Sequence, residues 1–305
     1  MVDITHKIIT QRTATAQAIV KVGSSETIEA IKNKTVPKGD VLEVARTAGL
    51  FAVKNTSNAI PDCHPLPIEY TAIAYDIKEM EIHIEIAVKA IYKTGVEVEA
   101  MHGASIVALT MYDMLKPIDK NVEISTIKLL HKKGGKSDFN KNENLDLNVA
   151  VIVSSDSVSS GKKEDKAGKI IASKLNTLGL DVSDYTIVPD EIEKLQNTVL
   201  QFCEKNKDLV IITGGTGLSP RDTTPEAIIP MLDRRIPGIE EAIRSYGQER
   251  TPYAMLSRSV VGFKGDTLIM ALPGSTSGAS ESIDAVFPSV LHLFKIIKGF
   301  NHDKK

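Results

Sequence analysis

The sequence predicts an α+β domain followed by an α/β domain with a doubly wound, mostly parallel sheet. Two observations carry this prediction. In the first half, MEIHIEIAVKA (80–90) mostly alternates apolar and polar residues, the period of a half-buried antiparallel strand. In the second half, apolar strand segments alternate with helical segments, an order typical of a parallel sheet with helices on both faces.

The elements of the first half follow from their patterns. The segments DVLEVARTAGLFAVKNTSNAI (40–60) and GVEVEAMHGASIVALTMYDMLK (95–116) are predicted helices. The second helix is apolar on more than one face, which predicts burial against a sheet or another subunit. IEYTAIAYDIK (68–78) is the predicted hairpin partner of 80–90, and a further strand is predicted over 122–130.

The second half contains four predicted strands, each followed by a predicted helix or a long amphipathic segment. The strands are VAVIVSSD (149–156), DYTIVPD (184–190), LVIITGG (209–215) and DTLIMALPG (266–274). The helices lie within 163–178, within 191–205, at 224–233 and in the amphipathic segment 279–298.

Between the halves, KKGGKSDFNKNENLDLN (132–148) is polar and rich in Asn, Lys and Asp, with two glycines near its start. Such a composition between two strand patterns indicates a linker. The predicted domains are therefore 1–140 and 147–305, with the boundary near residue 141.

Composition excludes several classes of protein. The net charge of the 305-residue chain is −2, which gives no general attraction to nucleic acid or an anionic membrane. No run of 18 apolar residues predicts a membrane span, and no apolar stretch near the start predicts a signal peptide. Cys63 and Cys203 are too few for a disulfide framework or a zinc site. These features predict a reduced, cytoplasmic protein without nucleic-acid or membrane partners.

Four strands of the second half end in residues suited to a ligand site. These ends are Ser155-Asp156, Pro189-Asp190, Gly214-Gly215-Thr216-Gly217 and Pro273-Gly274-Ser275. In open α/β sheets a ligand binds beyond the carboxyl ends of the strands, so we expect the four ends to converge on one edge.

The glycine-rich turn predicts a phosphate site. Gly214, Gly215 and Gly217 would allow backbone N–H groups to approach a phosphate, although an ordinary tight turn is an equal alternative. The spacing is neither a P-loop nor a dinucleotide fingerprint. Asp190 and Asp222 follow strand ends, and paired carboxylates near phosphates usually bind Mg²⁺. The alternative for either aspartate is a helix N-cap.

Five motifs of the second half occur in order: SSDSVSSGKKEDKAG, IVPDE, TGGTGLSPRDTTPEA, TPYAMLSRS and LPGS. Over about 147–299 the chain resembles the molybdopterin adenylyltransferase family, of the MogA/MoaB type. The resemblance implies a doubly wound, trimeric protein that adenylylates molybdopterin with Mg²⁺ and ATP and releases pyrophosphate. It implies functional aspartates at Asp190 and Asp222. The implied pocket positions are Ser155, Asp156, Gly214, Gly215, Thr216, Gly217, Ser257, Ser259, Pro273, Gly274 and Ser275.

In the first half, Asp113 and Lys116 lie three residues apart and would share one helix face. A surface ion pair is the ordinary alternative. Because the helix is otherwise apolar, we expect the pair to be partly buried and the pKa of Lys116 to be lowered, which suits proton transfer. Cys63 and His64 offer too few ligands for a metal site. Adjacent side chains on an extended chain point to opposite faces, which argues against a nucleophilic Cys–His pair.

The first half also carries a series of motifs: MVDIT, KGDVLEVARTAGLFAVKNT, IPDCHPLPIE, KTGVEVEA, MYDMLK and LLHKKGGKSDF. Over about 1–139 the chain resembles cyclic pyranopterin monophosphate synthase, of the MoaC type. The resemblance implies a hexamer of ferredoxin-like subunits with sites between subunits. It implies conversion of 3′,8-cyclo-7,8-dihydro-GTP to cyclic pyranopterin monophosphate with release of pyrophosphate, without a cofactor.

The resemblance implies that Asp113 and Lys116 are the catalytic acid/base pair. The remaining residues are expected to bind substrate, the basic ones through its triphosphate: Arg12, Lys38, Arg46, Lys54, Asp62, Cys63, His64, Lys93, Val98, Glu99, Lys133 and Lys136. Asp62 departs from the family pattern, since an apolar residue is expected there.

Together the two resemblances predict a bifunctional enzyme of molybdenum cofactor biosynthesis acting on pterin and nucleotide substrates. A hexamer built from trimers would satisfy both expected symmetries. The alternative for the second half is a molybdopterin-binding or assembly module with little catalysis.

Overall fold

The computed structural model describes residues 1–135 and 146–297. The chain forms two compact units, Met1–Phe139 and Asn140–Lys305. Each unit has its own sheet and its own buried apolar residues. Within the described ranges, no helix is both long enough and apolar enough to cross a lipid bilayer.

The N-terminal unit alternates strands and helices around one antiparallel sheet. In chain order its elements are β1 (Thr10–Lys21), α1 (Ser25–Lys32), α2 (Val41–Lys54), α3 (Thr56–Ala59), β2 (Tyr70–Ile77), β3 (Glu81–Tyr92), α4 (Glu97–Leu115) and β4 (Glu123–Lys133). The strand order is β2-β3-β1-β4, and every neighbouring pair is antiparallel. This confirms the predicted α+β class and the predicted hairpin of β2 and β3.

Strand β1 lies inside the sheet, although the sequence analysis did not predict it. Its buried face consists mainly of Ala14, Ala16, Ala18 and Val20, and alanine is depleted in strands and favours helices. Helix α4 packs on β1 and β3 with its own small residues, and small side chains on both surfaces allow a close approach. The predicted burial of α4 against a sheet is therefore confirmed.

In its described residues the C-terminal unit contains six strands and several helices. Its elements are β5 (Val149–Ser154), α5 (Asp156–Ser159), α6 (Ala167–Thr177), β6 (Val182–Val188), α7 (Ile192–Glu204), β7 (Leu209–Thr213), α8 (Thr224–Ile228), β8 (Arg234–Arg235), α9 (Pro237–Gln248), β9 (Val260–Lys264), β10 (Thr267–Leu272), α10 (Thr276–Val286) and α11 (His292–Ile297). Short 3₁₀ turns span Ile229–Met231, Pro252–Leu256 and Ser289–Leu291.

The sheet of this unit is mixed, with the order β6-β5-β7-β10-β9-β8. The first four strands are parallel, while β9 runs antiparallel to both β10 and β8. Helices α6, α9 and α10 cover one face, and α7 and α8 cover the other. The predicted α/β class is confirmed; the antiparallel edge and helix α9 were not predicted.

The predicted helical segment at 279–298 is interrupted. Helix α10 ends at Val286, a 3₁₀ turn follows Pro288, and α11 begins at His292. Proline has no N–H group to donate and its ring clashes with the preceding helical turn, so it ends the helix here. The prediction of one long amphipathic element was wrong at this point.

Candidate functional site

The carboxylate of Asp113, in the last turn of α4, contacts two lysines. Lys38, from the loop before α2, lies 2.6 Å from one oxygen, and Lys116 lies 2.8 Å from the other. The side chains of Asp113 and Lys116 are 52% and 53% exposed. The prediction that this pair is partly buried was wrong, because both side chains are exposed at the C-terminal end of α4.

Contact between the carboxylate and the two lysines shifts the pKa values of Asp113 and Lys116. Hydrogen bonds from Lys116 and then Lys38 lower the pKa of Asp113 to about 2. The same hydrogen bond to Asp113 raises the pKa of Lys116. The predicted lowering of the Lys116 pKa was therefore wrong, since an exposed ammonium beside a carboxylate gains more from attraction than it loses from desolvation.

A second carboxylate in the same unit is buried. Glu99, on α4, is only 2% exposed, and its Oε1 accepts a hydrogen bond from the Cys63 thiol at 3.1 Å. Its Oε2 has no hydrogen-bond partner among the described residues. Burial raises the pKa of Glu99, and burial together with the Glu99 carboxylate raises the pKa of Cys63 to about 12.

His64 diverges from Cys63, as adjacent side chains on an extended chain were expected to do. Its Nε2 lies 2.9 Å from the carbonyl oxygen of Val2. The side chain of Asp62, which precedes Cys63, is 89% exposed and pairs with the N-terminal ammonium group at 3.1 Å.

A basic cavity of about 350 Å³ lies at the start of β1 and the end of β4. Its cationic lining residues are Lys7, Arg12, Lys93, Lys132 and Lys133. Arg12 is mostly buried and donates from Nε to the carbonyl oxygen of Tyr92 at 3.1 Å. The cavity thus collects three of the predicted substrate-binding cations, Arg12, Lys93 and Lys133.

Three more of the predicted residues do not line that cavity, and a fourth lies outside the described ranges. Val98 is an exposed residue in the first turn of α4, Arg46 is exposed on α2, and Lys54 is exposed in the last turn of α2. Lys136 lies outside the described residues.

In the C-terminal unit, the ends of β5 and β6 are joined by two aspartates. The backbone N–H of Asp156 donates to Asp190 Oδ2, and the backbone N–H of Asp190 donates to Asp156 Oδ1, both at 3.0 Å. The Ser154 hydroxyl donates to Asp190 Oδ1 at 2.9 Å. Arg221 belongs to the glycine-rich loop after β7, residues 214–222. Its side chain bonds to Asp156 and lowers the pKa of that carboxyl group.

The ends of β7 and β10 approach each other just as closely. The Thr213 hydroxyl donates to the carbonyl oxygen of Pro273 at 2.8 Å, and a Cβ on Gly274 would lie 2.9 Å from the Cα of Gly214. The four strand ends therefore converge on one edge of the sheet, as predicted.

The glycine-rich loop after β7 adopts backbone conformations that favour glycine. Gly214 and Gly215 have φ of +108° and +62°, and a Cβ on Gly214 would lie 2.1 Å from the Ser154 carbonyl oxygen. Across residues 1–135 and 146–297, no acceptor is found for the four consecutive backbone N–H groups of 215–218. Successive backbone N–H groups without protein acceptors are a common feature of anion-binding turns.

Asp222 closes the same loop. Its Oδ2 accepts the Ser219 N–H at 2.8 Å, and a Cβ on Gly217 would lie 2.8 Å from that oxygen. Helix α8 has Thr223 at its N-cap, and α7 has Glu191. Neither Asp222 nor Asp190 is therefore an N-cap, and that alternative is excluded for both.

Two of the predicted serines, Ser257 and Ser275, line a cavity beyond the end of β10. This cavity of about 290 Å³ is lined by Ser257, Pro273 and Ser275 together with Thr251 and Tyr253. Ser259 is buried, and its hydroxyl lies 2.9 Å from that of Ser257. Ser155 instead caps α5 by accepting the Val158 N–H at 3.4 Å.

The carboxylates at this edge suit Mg²⁺ only with further ligands. No group of three or more His, Cys, Asp or Glu residues that could bind a metal occurs in the part of the chain that the structure describes. Asp190 and Asp222 retain free lone pairs on their oxygens. Mg²⁺ is commonly bound by one or two carboxylates, with phosphate oxygens and water completing its octahedron, and this donor set fits that pattern.

Known proteins resemble both units. Residues 1–135 match the model of the MoaC family, and residues 150–292 match the model of a probable molybdopterin binding domain. Over 302 residues the chain is 39% identical to a molybdenum cofactor biosynthesis bifunctional protein of Chlorobaculum tepidum, covering 99% of this chain and 96% of the relative. The chain belongs to the bifunctional molybdenum cofactor biosynthesis proteins.

Each unit of this family member also resembles separate proteins. The N-terminal unit is 52% identical over 143 residues to a cyclic pyranopterin monophosphate synthase of Clostridium perfringens, which covers 46% of this chain and 90% of the relative. The chain also aligns with the crystal structure of the molybdopterin biosynthesis enzyme MoaB from Thermus thermophilus. The aligned sequences are 39% identical, the alignment covers 50% of this chain and 98% of the MoaB chain, and the TM-score is 0.48.

In this bifunctional protein, sequence reasoning did not assign Arg221, Thr224 or Arg258 to the edge of the second sheet. All three lie inside motifs that point to the site, TGGTGLSPRDTTPEA and TPYAMLSRS. The sequence feature that could have indicated a role in the site was the presence of an arginine within a predicted phosphate-site motif. Its contacts could not be read from the sequence, because Arg221 pairs with a residue 65 positions away.

Proposed function

We propose that the N-terminal unit converts 3′,8-cyclo-7,8-dihydro-GTP to cyclic pyranopterin monophosphate with release of pyrophosphate. The observation that carries this proposal is the position of Asp113 between the ammonium groups of Lys38 and Lys116. The activity named for the Clostridium perfringens relative supports the same reaction.

In this proposal Lys116 is the proton donor. Lys116 is an ammonium at neutral pH, and the hydrogen bond to Asp113, which raises its pKa further, orients it. The basic cavity with Arg12, Lys93 and Lys133 would neutralise the triphosphate and its pyrophosphate leaving group. His64, Val98 and the Cys63–Glu99 pair would contact the pterin side of the substrate, and Lys54 and Lys136 would complete the cation set.

We propose that the C-terminal unit transfers the adenylyl group of ATP to molybdopterin. The observation that carries this proposal is the row of four free N–H groups at 215–218. These groups would bind phosphate oxygens, and the cavity with Ser257 and Ser275 would bind the pterin. Asp190 and Asp222 would hold Mg²⁺, which offsets phosphate charge when bound.

A binding or assembly role is the second candidate for the C-terminal unit. The family model that matches it is described as a probable molybdopterin binding domain. The two candidates differ in turnover, since only an enzyme releases pyrophosphate from ATP in a molybdopterin-dependent manner.

The N-terminal proposal is tested with the cyclised dihydro-GTP, and product is detected as its fluorescent oxidised pterin. We expect product from wild type and from Asp76→Ala, an exposed residue of β2, but not from Asp113→Ala. Product at the wild-type rate from Asp113→Ala would remove that residue from the mechanism.

The C-terminal proposal is tested by pyrophosphate release from Mg²⁺-ATP with molybdopterin. We expect release from wild type and from the exposed-residue control Asp181→Ala, and at least a hundredfold loss, of the order seen for electrostatic catalytic groups, in Asp222→Ala. Molybdopterin binding without release in wild type would favour the binding role instead.

We also propose a ferredoxin-like fold for the N-terminal unit and a hexamer built from trimers for the whole protein. The β-α-β-β-α-β pattern of the larger elements and the strand order β2-β3-β1-β4 support the fold. Light scattering on the full chain tests the assembly, and a stable monomer would contradict it.

A further inference from the structure

The glycine-rich loop has its carbonyl groups bound by protein donors on one side. The carbonyl oxygen of Gly214 accepts the Thr224 hydroxyl at 2.9 Å, and that of Gly215 accepts the Thr224 N–H at 3.0 Å. The backbone N–H of Arg258 donates to the carbonyl oxygen of Thr216 at 3.0 Å. The side chain of Arg258 donates from Nε to the Gly217 carbonyl oxygen at 2.8 Å.

The N–H groups of the same stretch are left free. All four carbonyls of 214–217 have protein donors, whereas the N–H groups of 215–218 have no acceptor among the described residues. A peptide group whose C=O is bound cannot turn over without breaking that bond. The pattern therefore fixes the loop with its donors available to an anion.

Arg258 does more than bind one carbonyl. Its Nη2 donates to the Asp222 carbonyl oxygen at 2.6 Å, and its Nη1 pairs with the carboxylate of Glu226 in α8. One planar guanidinium thus connects Gly217, inside the loop, with Asp222 at its end. Lysine cannot reproduce this arrangement, because its ammonium is a single point donor rather than a rigid fork.

We infer that Arg258 is a positioning residue for the phosphate site: it polarises the glycine-rich loop and fixes Asp222, without itself contacting the ligand. This inference rests on the proposed phosphate-binding role of the loop. The guanidinium is already engaged by two carbonyl oxygens and a carboxylate, so its role is exerted through the loop.

The test is hydrogen–deuterium exchange on the full chain, followed in a peptide covering 214–222. The probe is inorganic pyrophosphate with Mg²⁺. In wild type we expect pyrophosphate to slow exchange in this peptide. In Arg258→Ala and Arg258→Lys the concentration needed for half of that protection should rise roughly tenfold or more, as expected for lost hydrogen bonds to a charged group.

Glu226→Gln is the matched control, because it removes one ion pair of Arg258 and leaves its bonds to Gly217 and Asp222. We expect its half-protection concentration to stay within about twofold of wild type. Addition of guanidinium at millimolar concentration should partly restore Arg258→Ala, which a merely unfolded variant would not allow. Arg258→Lys serves if Arg258→Ala does not fold.

Two outcomes separate the claims. Protection in wild type with equal protection in both Arg258 variants would overturn the positioning role while leaving the phosphate site intact. No protection at 214–222 in wild type would overturn the proposed phosphate site, and the positioning role with it.

Discussion

The ammonium group of Lys38 lies 2.6 Å from the side-chain carboxylate of Asp113 and 3.0 Å from its backbone carbonyl oxygen, although 75 residues separate them in the chain. Lys38 therefore holds both parts of Asp113, and Lys116 contacts the remaining carboxylate oxygen. The proposed acid/base pair of Asp113 and Lys116 thus includes Lys38 as a third member. The geometry of the group depends on the loop that carries Lys38.

Replacement of Lys38 should accordingly impair the synthase. In Lys38→Met we expect the rate of cyclic pyranopterin formation to fall at least roughly tenfold, because Asp113 loses one of its two positioning donors. Lys32→Met is the control, since among the described residues Lys32 makes only an exposed ion pair with Glu29 in α1. Equal rates for the two variants would show that Lys38 does not contribute to the site.

The charge state of Asp113 gives a prediction for acid stability. Its pKa is lowered to about 2 from an ordinary value of 3.8, first by Lys116 and then by Lys38. A carboxyl group whose pKa is lower in the folded than in the unfolded protein stabilises the fold at every pH above its unfolded-state pKa. This stabilisation is lost as the pH falls through the folded-state pKa. The advantage of wild type over Asp113→Asn should thus be constant above about pH 5 and shrink below about pH 4.

Thermal midpoints of both proteins, measured at intervals between about pH 7 and pH 3, test this expectation. A stability difference that stayed constant from about pH 7 down to about pH 3 would mean that the pKa of Asp113 is not lowered.

The Cys63–Glu99 contact predicts an unreactive thiol. With its pKa raised to about 12, Cys63 should be alkylated about a thousandfold more slowly at pH 8 than an ordinary thiol, because only the thiolate reacts. Glu99→Gln removes a negative charge that raises this pKa, so alkylation of Cys63 should accelerate. The measurement is iodoacetamide labelling followed by peptide mass spectrometry.

Cys203 provides the internal control for that experiment, since it lies in the other unit. Its labelling rate should be the same in wild type and Glu99→Gln. Unchanged labelling of Cys63 in Glu99→Gln would show that burial alone suppresses the thiolate.

The elements that the sequence predicted are those with a strong pattern. The alternation in β3 and the apolar runs of β5, β7 and β10 each specify a strand by themselves. Strand β1 was missed because its buried face is mostly alanine. Its strand conformation comes from pairing with β3 and β4 on both sides, which is tertiary context that overrides local preference.

The candidate sites also contain some features that the sequence predicted and others that it did not. The convergence of Asp156, Asp190 and the glycine-rich loop followed from the parallel strands, because topology alone brings strand ends together. The exposure of Asp113 and the contacts of Arg258 did not follow. Both depend on where a loop or helix end lies relative to a residue far away in the chain, and no local pattern records that distance.

The close approach at Gly214 yields a stability prediction. Gly214→Ala combines φ of +108° with a Cβ only 2.1 Å from the Ser154 carbonyl oxygen. Strain and overlap together should destabilise the C-terminal unit by roughly 2–4 kcal/mol, and displacement of the loop should abolish pyrophosphate release. Gly161→Ala is the matched control, because Gly161 also has positive φ, +71°, but nothing lies within 4 Å of its added Cβ.

Gly161→Ala should cost only about 1 kcal/mol and retain pyrophosphate release. Unfolding in denaturant measures both changes, and the synthase rate of the N-terminal unit reports any general damage. If the two variants lost the same stability, the contact between Gly214 and Ser154 would be free to relax. The strand ends of β5 and β7 would then not hold the glycine-rich loop in one position, and a fixed row of donors at 215–218 would lose its structural basis.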